Sequence, residues 1–218
     1  MHLIDTHTHL FAQQFDQDRS EVIHRALEEG VKQMLLPNID ISSIQPMLNL
    51  CAEFPNNCFP MIGLHPCDIK TNYLEELEII EEWLENENFV AVGEIGIDLY
   101  WDKSNLSIQE DAFRKQVELA KKYKLPIAIH VRDSFDEVLA IIDELNDDNL
   151  SGVFHCFTGN KDQANHIINY GGFKLGIGGV VTFKNSDLNK ILNTISIEYL
   201  ILETDSPYLA PVPKRGKK

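Results

Sequence analysis

The sequence predicts an α/β protein in which eight parallel strands and the helices between them form a (β/α)₈, or TIM-type, barrel. Three observations predict this class. The 218 residues are enough for one domain of this kind. Eight short apolar runs are spaced along the chain, and longer amphipathic segments separate them, which is the pattern of repeated parallel βα units. We therefore expect a single barrel domain over residues 1–218.

Each predicted strand is a run rich in Val, Ile, Leu and Phe that is short enough to be buried on both faces. In chain order, the eight runs are 3–6, 31–36, 59–64, 89–92, 127–129, 152–154, 173–177 and 199–202. The competing architecture is an open doubly wound sheet, which carries a GxGxxG fingerprint after its first strand. No such motif follows the first run, so the barrel is favoured.

The segments between the apolar runs have the periodicity of amphipathic helices. Phe113, Val117 and Ala120 illustrate it, because their spacing places three apolar side chains on one helix face. The clearest helical segments are 19–29, 74–87, 109–122, 135–145 and 162–170. After the eighth run only residues 206–218 remain, and they include Pro211 and Pro213. We therefore expect either that the barrel lacks its last helix or that the chain is truncated, and in both cases that the outer faces of the eighth and first strands lie uncovered.

The charge of the chain limits how it could bind a nucleic acid. It has 19 Lys and Arg against 34 Asp and Glu, a formal net charge of −15 at pH 7. Such a charge excludes a basic surface as the main source of affinity. It does not exclude an enzyme that acts on nucleic acids, because bound divalent cations can supply local positive charge.

Several features predict a cytoplasmic location. The four cysteines include no CxxC pair, which predicts free thiols in a reducing compartment. The first residues lack the basic and apolar regions of a signal peptide. No apolar run approaches the roughly 18 residues of a membrane span. We expect a cytoplasmic protein with no membrane partner.

Metal-binding types of side chain end five of the predicted strands. Because the C-terminal ends of barrel strands meet at one mouth, we expect these side chains to converge there. They are His7 and His9 after the first run, Glu94 after the fourth, His130 after the fifth, His155 after the sixth and Asp205 after the eighth. The alternative for each residue taken alone is a polar strand end that faces water.

The composition of this set predicts the cofactor. Imidazole and carboxylate without thiolate suit Mg²⁺, Mn²⁺ or Zn²⁺ and do not choose between them. The set exceeds the three or four ligands that one catalytic zinc ion needs, so we expect two divalent ions with Glu94 as the bridge. Such a pair suits hydrolysis of phosphodiester bonds, and it also suits hydrolysis of an amide or a lactone.

Six motifs occur in order along the chain. They are DTHTHL at 5–10, GLHP at 63–66, GEIGID at 93–98, HVR at 130–132, HCFTG at 155–159 and ETDSPY at 203–208. These motifs resemble those of the TatD family of metal-dependent deoxyribonucleases, within the amidohydrolase-like barrel hydrolases. The resemblance implies a divalent-metal-dependent deoxyribonuclease with 3′→5′ exonuclease action on single-stranded DNA. It leaves RNA as a further candidate substrate.

The family pattern also implies how the ligands are shared between two ions. The first ion would be bound by the residues that match the pattern at His7, His9, Glu94 and Asp205. The second would be bound by those that match it at Glu94, His130 and His155. The chain departs from the family at its C-terminus, because family members continue beyond residues 214–218 into a last helix.

Catalytic and substrate-binding roles follow as expectations. Asp205, next to the ions, is the candidate acceptor of the proton from the attacking water. His65 and Arg132 are the candidate phosphate-binding residues, since the Arg132 guanidinium can donate two parallel hydrogen bonds to a phosphate. The alternatives are a packing histidine at position 65 and a rim ion pair of Arg132 with Asp133 or Asp136.

Other interpretations stay open. The alternative enzyme is an amidohydrolase that acts on a cyclic amide or a lactone, although many such barrels use a modified lysine where this chain has Glu94. A non-catalytic metal- or phosphate-binding module is a third possibility, but binding alone does not need so many ligands. Tyr100 and Trp101, in the loop after the fourth run, either stack on a base or cap the barrel.

Overall fold

The computed structural model describes residues 2–216, and eight strands in these residues form one parallel sheet in sequence order. The strands are β1 Leu3–Asp5, β2 Val31–Pro37, β3 Cys58–Ile62, β4 Ala91–Asp98, β5 Ile127–Arg132, β6 Gly152–Phe154, β7 Phe173–Ile177 and β8 Leu200–Leu202. Every neighbouring pair from β1–β2 to β7–β8 is parallel. The predicted order of strands is therefore confirmed.

Backbone hydrogen bonds join the last strand to the first. The amide of Thr6 donates to the carbonyl of Leu202 at 3.1 Å, and the amide of Asp205 donates to the carbonyl of His7 at 2.9 Å. These bonds bring the two edges of the sheet together, and the sheet forms the predicted barrel. The closure also brings the segments that follow β1 and β8 side by side at the mouth.

Asp5 reinforces this closure from β1. Its carboxylate accepts hydrogen bonds from the amide of Thr204 at 2.9 Å and from the Thr204 hydroxyl at 2.6 Å. It also accepts from the amide of His7 at 3.3 Å. One buried carboxylate thus ties β1 to the segment after β8, across 199 positions of sequence.

Helices lie between successive strands. They are α1 Arg19–Glu28, α2 Ile41–Glu53, α3 Tyr73–Asn86, α4 Leu106–Tyr123, α5 Phe135–Leu145, α6 Lys161–Asn169 and α7 Leu188–Leu192. Short 3₁₀ turns occur at Gln13–Phe15, Pro66–Asp68, Gly179–Thr182 and Ile197–Tyr199. In α4, Phe113, Val117 and Ala120 are fully buried, as their spacing predicts. No helix of the described residues is long and apolar enough to cross a bilayer.

In the described part of the chain, no helix covers the outer side of the β8–β1 junction. Within residues 2–216, no helix follows β8, and residues 206–216 form turns and irregular backbone. Ile4 on β1 is 42% exposed and Leu202 on β8 is 59% exposed. The expectation that this face would lie uncovered agrees with the described part of the chain.

Candidate metal centre

The C-terminal ends of the strands form a mouth, and all six predicted ligands lie there. His7 and His9 follow β1, Glu94 and His130 lie within β4 and β5, His155 follows β6, and Asp205 follows β8. Five of them are buried, and His130 is half-buried. Residues distant in the chain therefore meet in a single cluster, as their positions at the strand ends predict.

One oxygen of Glu94 faces the histidines of β1. Glu94 Oε2 lies 3.1 Å from His7 Nε2 and 3.5 Å from His9 Nε2. Asp205 Oδ1 approaches the same two atoms, at 3.9 Å from His7 Nε2 and 3.5 Å from His9 Nε2. Two imidazoles and two carboxylates therefore point at one small volume.

The other oxygen of Glu94 faces a second group of histidines. Glu94 Oε1 lies 2.8 Å from His130 Nδ1, 3.0 Å from His155 Nε2 and 3.5 Å from His65 Nε2. The His7 and His155 rings stack between the two groups, with centroids 3.7 Å apart. The two oxygens of the Glu94 carboxylate thus face two separate sets of imidazole nitrogens.

These atoms fit the requirements of divalent cations. Two ligand atoms that each lie about 2.1 Å from a tetrahedral ion are about 3.4 Å apart, and the distances above lie around that value. Three sets of residues bring their ligand atoms within 4.8 Å of one another: His7, His9 and Glu94; His65, Glu94 and His130; and His7, His155 and Glu203. Within residues 2–216 no Lys or Arg pairs with Glu94 or Asp205, and the groups of opposite charge that face these two carboxylates are imidazoles.

The imidazoles keep Glu94 ionised despite its burial. Burial by itself would raise the pKa of this carboxyl. The charges of His155, His65 and His7 and the hydrogen bond with His130 outweigh it and hold the pKa of Glu94 well below its usual value. The carboxylate is therefore negative at neutral pH and available to a metal ion.

The same charges act on the imidazoles. Burial would lower the pKa of His155, but Glu94 and Glu203 raise the pKa well above the usual value. Burial, reinforced by the neighbouring charge of His155, lowers the pKa of His7. Both shifts follow from carboxylates and imidazoles that share one desolvated volume.

Two carboxylates that contact the histidines were not predicted from the sequence. Glu203 Oε1 lies 3.3 Å from His155 Nδ1 and accepts a hydrogen bond from the amide of Cys156 at 2.5 Å. Asp98 Oδ2 lies 2.9 Å from His130 Nε2. Strand alternation was the available signal, because Asp98 lies four residues after Glu94 on one strand and so shares its side. Carboxylates in such positions orient metal-binding histidines.

His65 lies within the cluster. Its Nε2 is 3.3 Å from His130 Nδ1, and its Nδ1 accepts a hydrogen bond from the amide of Cys67 at 3.1 Å. A neutral imidazole that accepts at Nδ1 carries its proton on Nε2. His65 therefore directs an N–H donor toward the mouth. A histidine that binds a metal ion there must instead offer the lone pair of an unprotonated nitrogen.

Arg132 lies at the rim and not among the ligands. Its guanidinium carbon is 3.8 Å from the centroid of the Tyr100 ring and 5.6 Å from that of Trp101. Within residues 2–216 the guanidinium has no ion pair, so the expected alternative partners Asp133 and Asp136 do not hold it. Both aromatic side chains are largely exposed.

A (β/α)₈ barrel whose mouth gathers imidazoles around a shared carboxylate defines the class of metal-dependent hydrolases. Over residues 4–218 the sequence matches the family described as TatD related DNase, and the chain belongs to that family. The predicted resemblance to this family is thus confirmed.

Individual relatives agree with this assignment. The chain is 40% identical over 217 residues to YabD of Bacillus subtilis, described as an uncharacterized metal-dependent hydrolase, covering 99% of this chain and 84% of that protein. It is 33% identical to the 3′-5′ ssDNA/RNA exonuclease TatD of Salmonella typhimurium, covering 96% of this chain and 80% of that protein. The crystal structure of YjjV, a TatD homologue from Escherichia coli, superposes with a TM-score of 0.92 at 29% identity, covering 99% of this chain and 83% of that one.

Proposed function

We propose that the protein is a deoxyribonuclease that uses two divalent metal ions to hydrolyse phosphodiester bonds. Its substrate is single-stranded DNA, cut from the 3′ end, and RNA is a further candidate. The observation that carries the proposal is the position of Glu94, whose two oxygens face two separate groups of imidazoles. The name of the Salmonella relative supports a nucleic acid as the substrate.

The geometry supports one division of the ligands between the ions. We assign His7, His9, Glu94 and Asp205 to the first ion. We assign Glu94, His130 and His155 to the second ion. When bound, Mg²⁺, Mn²⁺ or Zn²⁺ at these positions would neutralise the charge on the phosphate oxygens and on the leaving oxygen.

Asp205 is the proposed acceptor of the proton from the attacking water. Burial would raise the pKa of its carboxyl, but the hydrogen bond with His9 and the charges of His155 and His7 lower the pKa below its usual value. The carboxylate is therefore ionised at neutral pH, as a general base must be. Its place beside the first ligand group supports this role.

His65 and Arg132 are proposed to bind the phosphate. His65 directs the protonated Nε2 inferred above toward the mouth, so it can donate to a phosphate oxygen. Arg132 is exposed at the rim and has no carboxylate partner among the described residues, so its charge is available to an anion. Asp98 and Glu203 hold His130 and His155 in position from behind.

A nuclease assay with one variant and one control tests the proposal. The substrate is a single-stranded oligonucleotide, 3′-labelled, incubated with Mg²⁺, Mn²⁺, Zn²⁺ or EDTA. We expect metal-dependent cleavage by the wild type and loss of both cleavage and bound metal in Glu94→Ala, because both ions lose a ligand. The control is Glu78→Ala on the exposed side of α3, which removes a carboxylate far from the mouth.

Two results would contradict the proposal. A Glu94→Ala protein that keeps full rate and both ions, measured by elemental analysis, would show that this carboxylate is not the bridge. A wild type that turns over a dihydropyrimidine or a lactone but cleaves no strand with any of the metals would be an amidohydrolase.

A further inference from the structure

Three side chains form an exposed group beside the metal centre, and we refer to Tyr100, Trp101 and Arg132 as the aromatic platform. Tyr100 is 53% exposed and Trp101 is 72% exposed. Their rings meet edge to face, with centroids 4.9 Å apart. The guanidinium of Arg132 lies over the Tyr100 ring at 3.8 Å. Large aromatic side chains with this much exposure, next to an unpaired cation, indicate a binding surface.

We propose that the aromatic platform binds an unpaired nucleobase of the substrate strand, and that Arg132 binds the adjoining phosphate. The platform thereby selects single strands over duplex. This inference rests on the proposed nuclease function and assigns to named residues the recognition of the strand beyond the bond that is cut.

One carboxylate fixes the platform relative to the metal centre. Asp98 Oδ1 accepts hydrogen bonds from the amide of Tyr100 at 3.0 Å and from the amide of Trp101 at 3.4 Å. Asp98 Oδ2 lies 2.9 Å from His130 Nε2, and His130 contacts Glu94. A change in the position of this loop would therefore disturb a proposed metal ligand as well. A nucleotide held on the platform is placed at a defined position beside the cluster.

Arg132 is linked to the same centre through its strand. It follows His130 by two residues on β5, so their Cα atoms are about 6.6 Å apart along the strand. The guanidinium stacks on Tyr100 and not on a carboxylate. It can therefore keep this stacking while its N–H groups donate to a phosphate at the rim.

The chemistry of the platform favours a single-stranded nucleic acid. Every nucleobase has a flat face that can stack on an aromatic side chain, and only an unpaired base leaves that face free. The net charge of −15 makes attraction of the backbone phosphates by the whole protein unfavourable. Stacking supplies affinity that does not depend on the overall charge.

Tryptophan fluorescence tests binding without turnover. The chain has two tryptophans, Trp83 on α3 and Trp101, so a Trp83→Phe variant reports on the platform alone. We expect a single-stranded oligothymidylate, added in EDTA, to quench this emission with saturation, and an abasic strand of equal length to quench it far less. An unchanged emission at strand concentrations that saturate binding, as judged by anisotropy of a labelled strand, would overturn the proposal. A platform that served a protein partner would give this negative result.

Cleavage kinetics test whether the platform contributes to recognition. The substrates are oligonucleotides with an abasic residue at successive positions from the 3′ end, compared with the intact strand. For the wild type we expect kcat/KM to fall about tenfold or more at one position, since stacking on an aromatic side chain contributes roughly that much per base. Trp101→Ala should lose a similar factor on the intact strand and no longer respond to that abasic position. Trp101→Phe should restore most of the response.

A matched control separates stacking from a general loss of an aromatic side chain. Tyr199, just before β8, also carries a cation over its ring, with Lys174 Nζ at 5.2 Å. It precedes its strand and so lies at the opposite end of the barrel from the mouth. Tyr199→Ala should leave the discrimination between intact and abasic strands unchanged.

The outcomes distinguish the two proposals. Quenching of Trp101 by an intact strand, without cleavage of any strand, would refute the nuclease and still support the platform. Normal cleavage by Trp101→Ala and Tyr100→Ala, with intact and abasic strands cut at equal rates by the wild type, would refute the platform and leave the nuclease standing.

Discussion

Glu203 and Asp98 show how single residues prepare the candidate metal centre. Each places a carboxylate against a ring nitrogen of a histidine whose other nitrogen faces Glu94. A carboxylate in that position fixes the orientation of the imidazole and increases its basicity toward a metal ion. The side chain of Glu203 is completely buried, so its charge acts at short range and without screening by water.

We expect Glu203→Gln to weaken binding of the second ion about 10- to 100-fold. The amide keeps the shape of the side chain and an oxygen for the amide of Cys156, but it removes the negative charge beside His155. Calorimetric titration of the metal-free protein with Mn²⁺ measures the effect. Glu198→Gln, an exposed residue ahead of β8, is the matched control and should bind as the wild type does. Equal affinities in Glu203→Gln and the wild type would contradict this role.

The proposed metal ligands and the carboxylates that contact them differ in how well the sequence predicts them. His7, His9 and His130 end apolar runs, where a histidine has no packing reason to lie, and so they were predicted. Glu203 carries no such mark, because an acidic residue at a strand end is common on a solvated rim, and Asp98 is marked only by its spacing from Glu94 on β4. Only the folded arrangement brings them to the free ring nitrogens.

Among the elements, β4 and α2 differ most from what the sequence predicts. The apolar run predicted β4 at 89–92, whereas the strand is Ala91–Asp98 and is buried along its whole length. Glycines and acids interrupt the run, and these acids are buried because they face the histidines. α2 is not among the clearest helical segments of the sequence, and it contains Pro46, a residue that disfavours a helix interior. The cap formed by Asp40 and Ser43 starts that helix nevertheless.

Hydrogen bonds of the Asp5 carboxylate stabilise the junction of β1 and β8. We expect Asp5→Ala to lower the free energy of unfolding by about 2–4 kcal/mol, because the amides and the hydroxyl that it binds lose their acceptor. Urea denaturation followed by circular dichroism measures the loss. Asp148→Ala, in the exposed loop after α5, should change stability by less than about 0.5 kcal/mol. A stability equal to the wild type in Asp5→Ala would mean that the backbone bonds alone close the barrel.

At the scale of the whole molecule, the mouth concentrates buried acidic groups that the rest of the fold must stabilise. Glu94, Asp98, Glu203 and Asp205 are all buried there. In this arrangement the imidazoles compensate their charge, and divalent cations would do so more strongly. The contacts between these carboxylates and the imidazoles therefore stabilise the mouth, and the same side chains are the proposed metal ligands and their partners.

Metal ions should therefore stabilise the entire protein. An ion that binds only the folded state adds about 2.7 kcal/mol to the free energy of unfolding at a concentration 100 times its Kd. We expect urea denaturation to show this increase when Mn²⁺ replaces EDTA for the wild type and for Glu78→Ala, but not for Glu94→Ala. The absence of any difference between Mn²⁺ and EDTA in the wild type would contradict a site formed only in the folded chain.

The bonds between the first and last strands have a consequence for protein synthesis. His7 follows β1 and emerges from the ribosome well before Asp205, which emerges only after β8 has been translated. A growing chain therefore cannot complete the first ligand group or join the two edges of the sheet until then. The proposed nuclease activity should therefore arise only after β8 and Asp205 have been translated, so chains that stop before β8 would not cut nucleic acid.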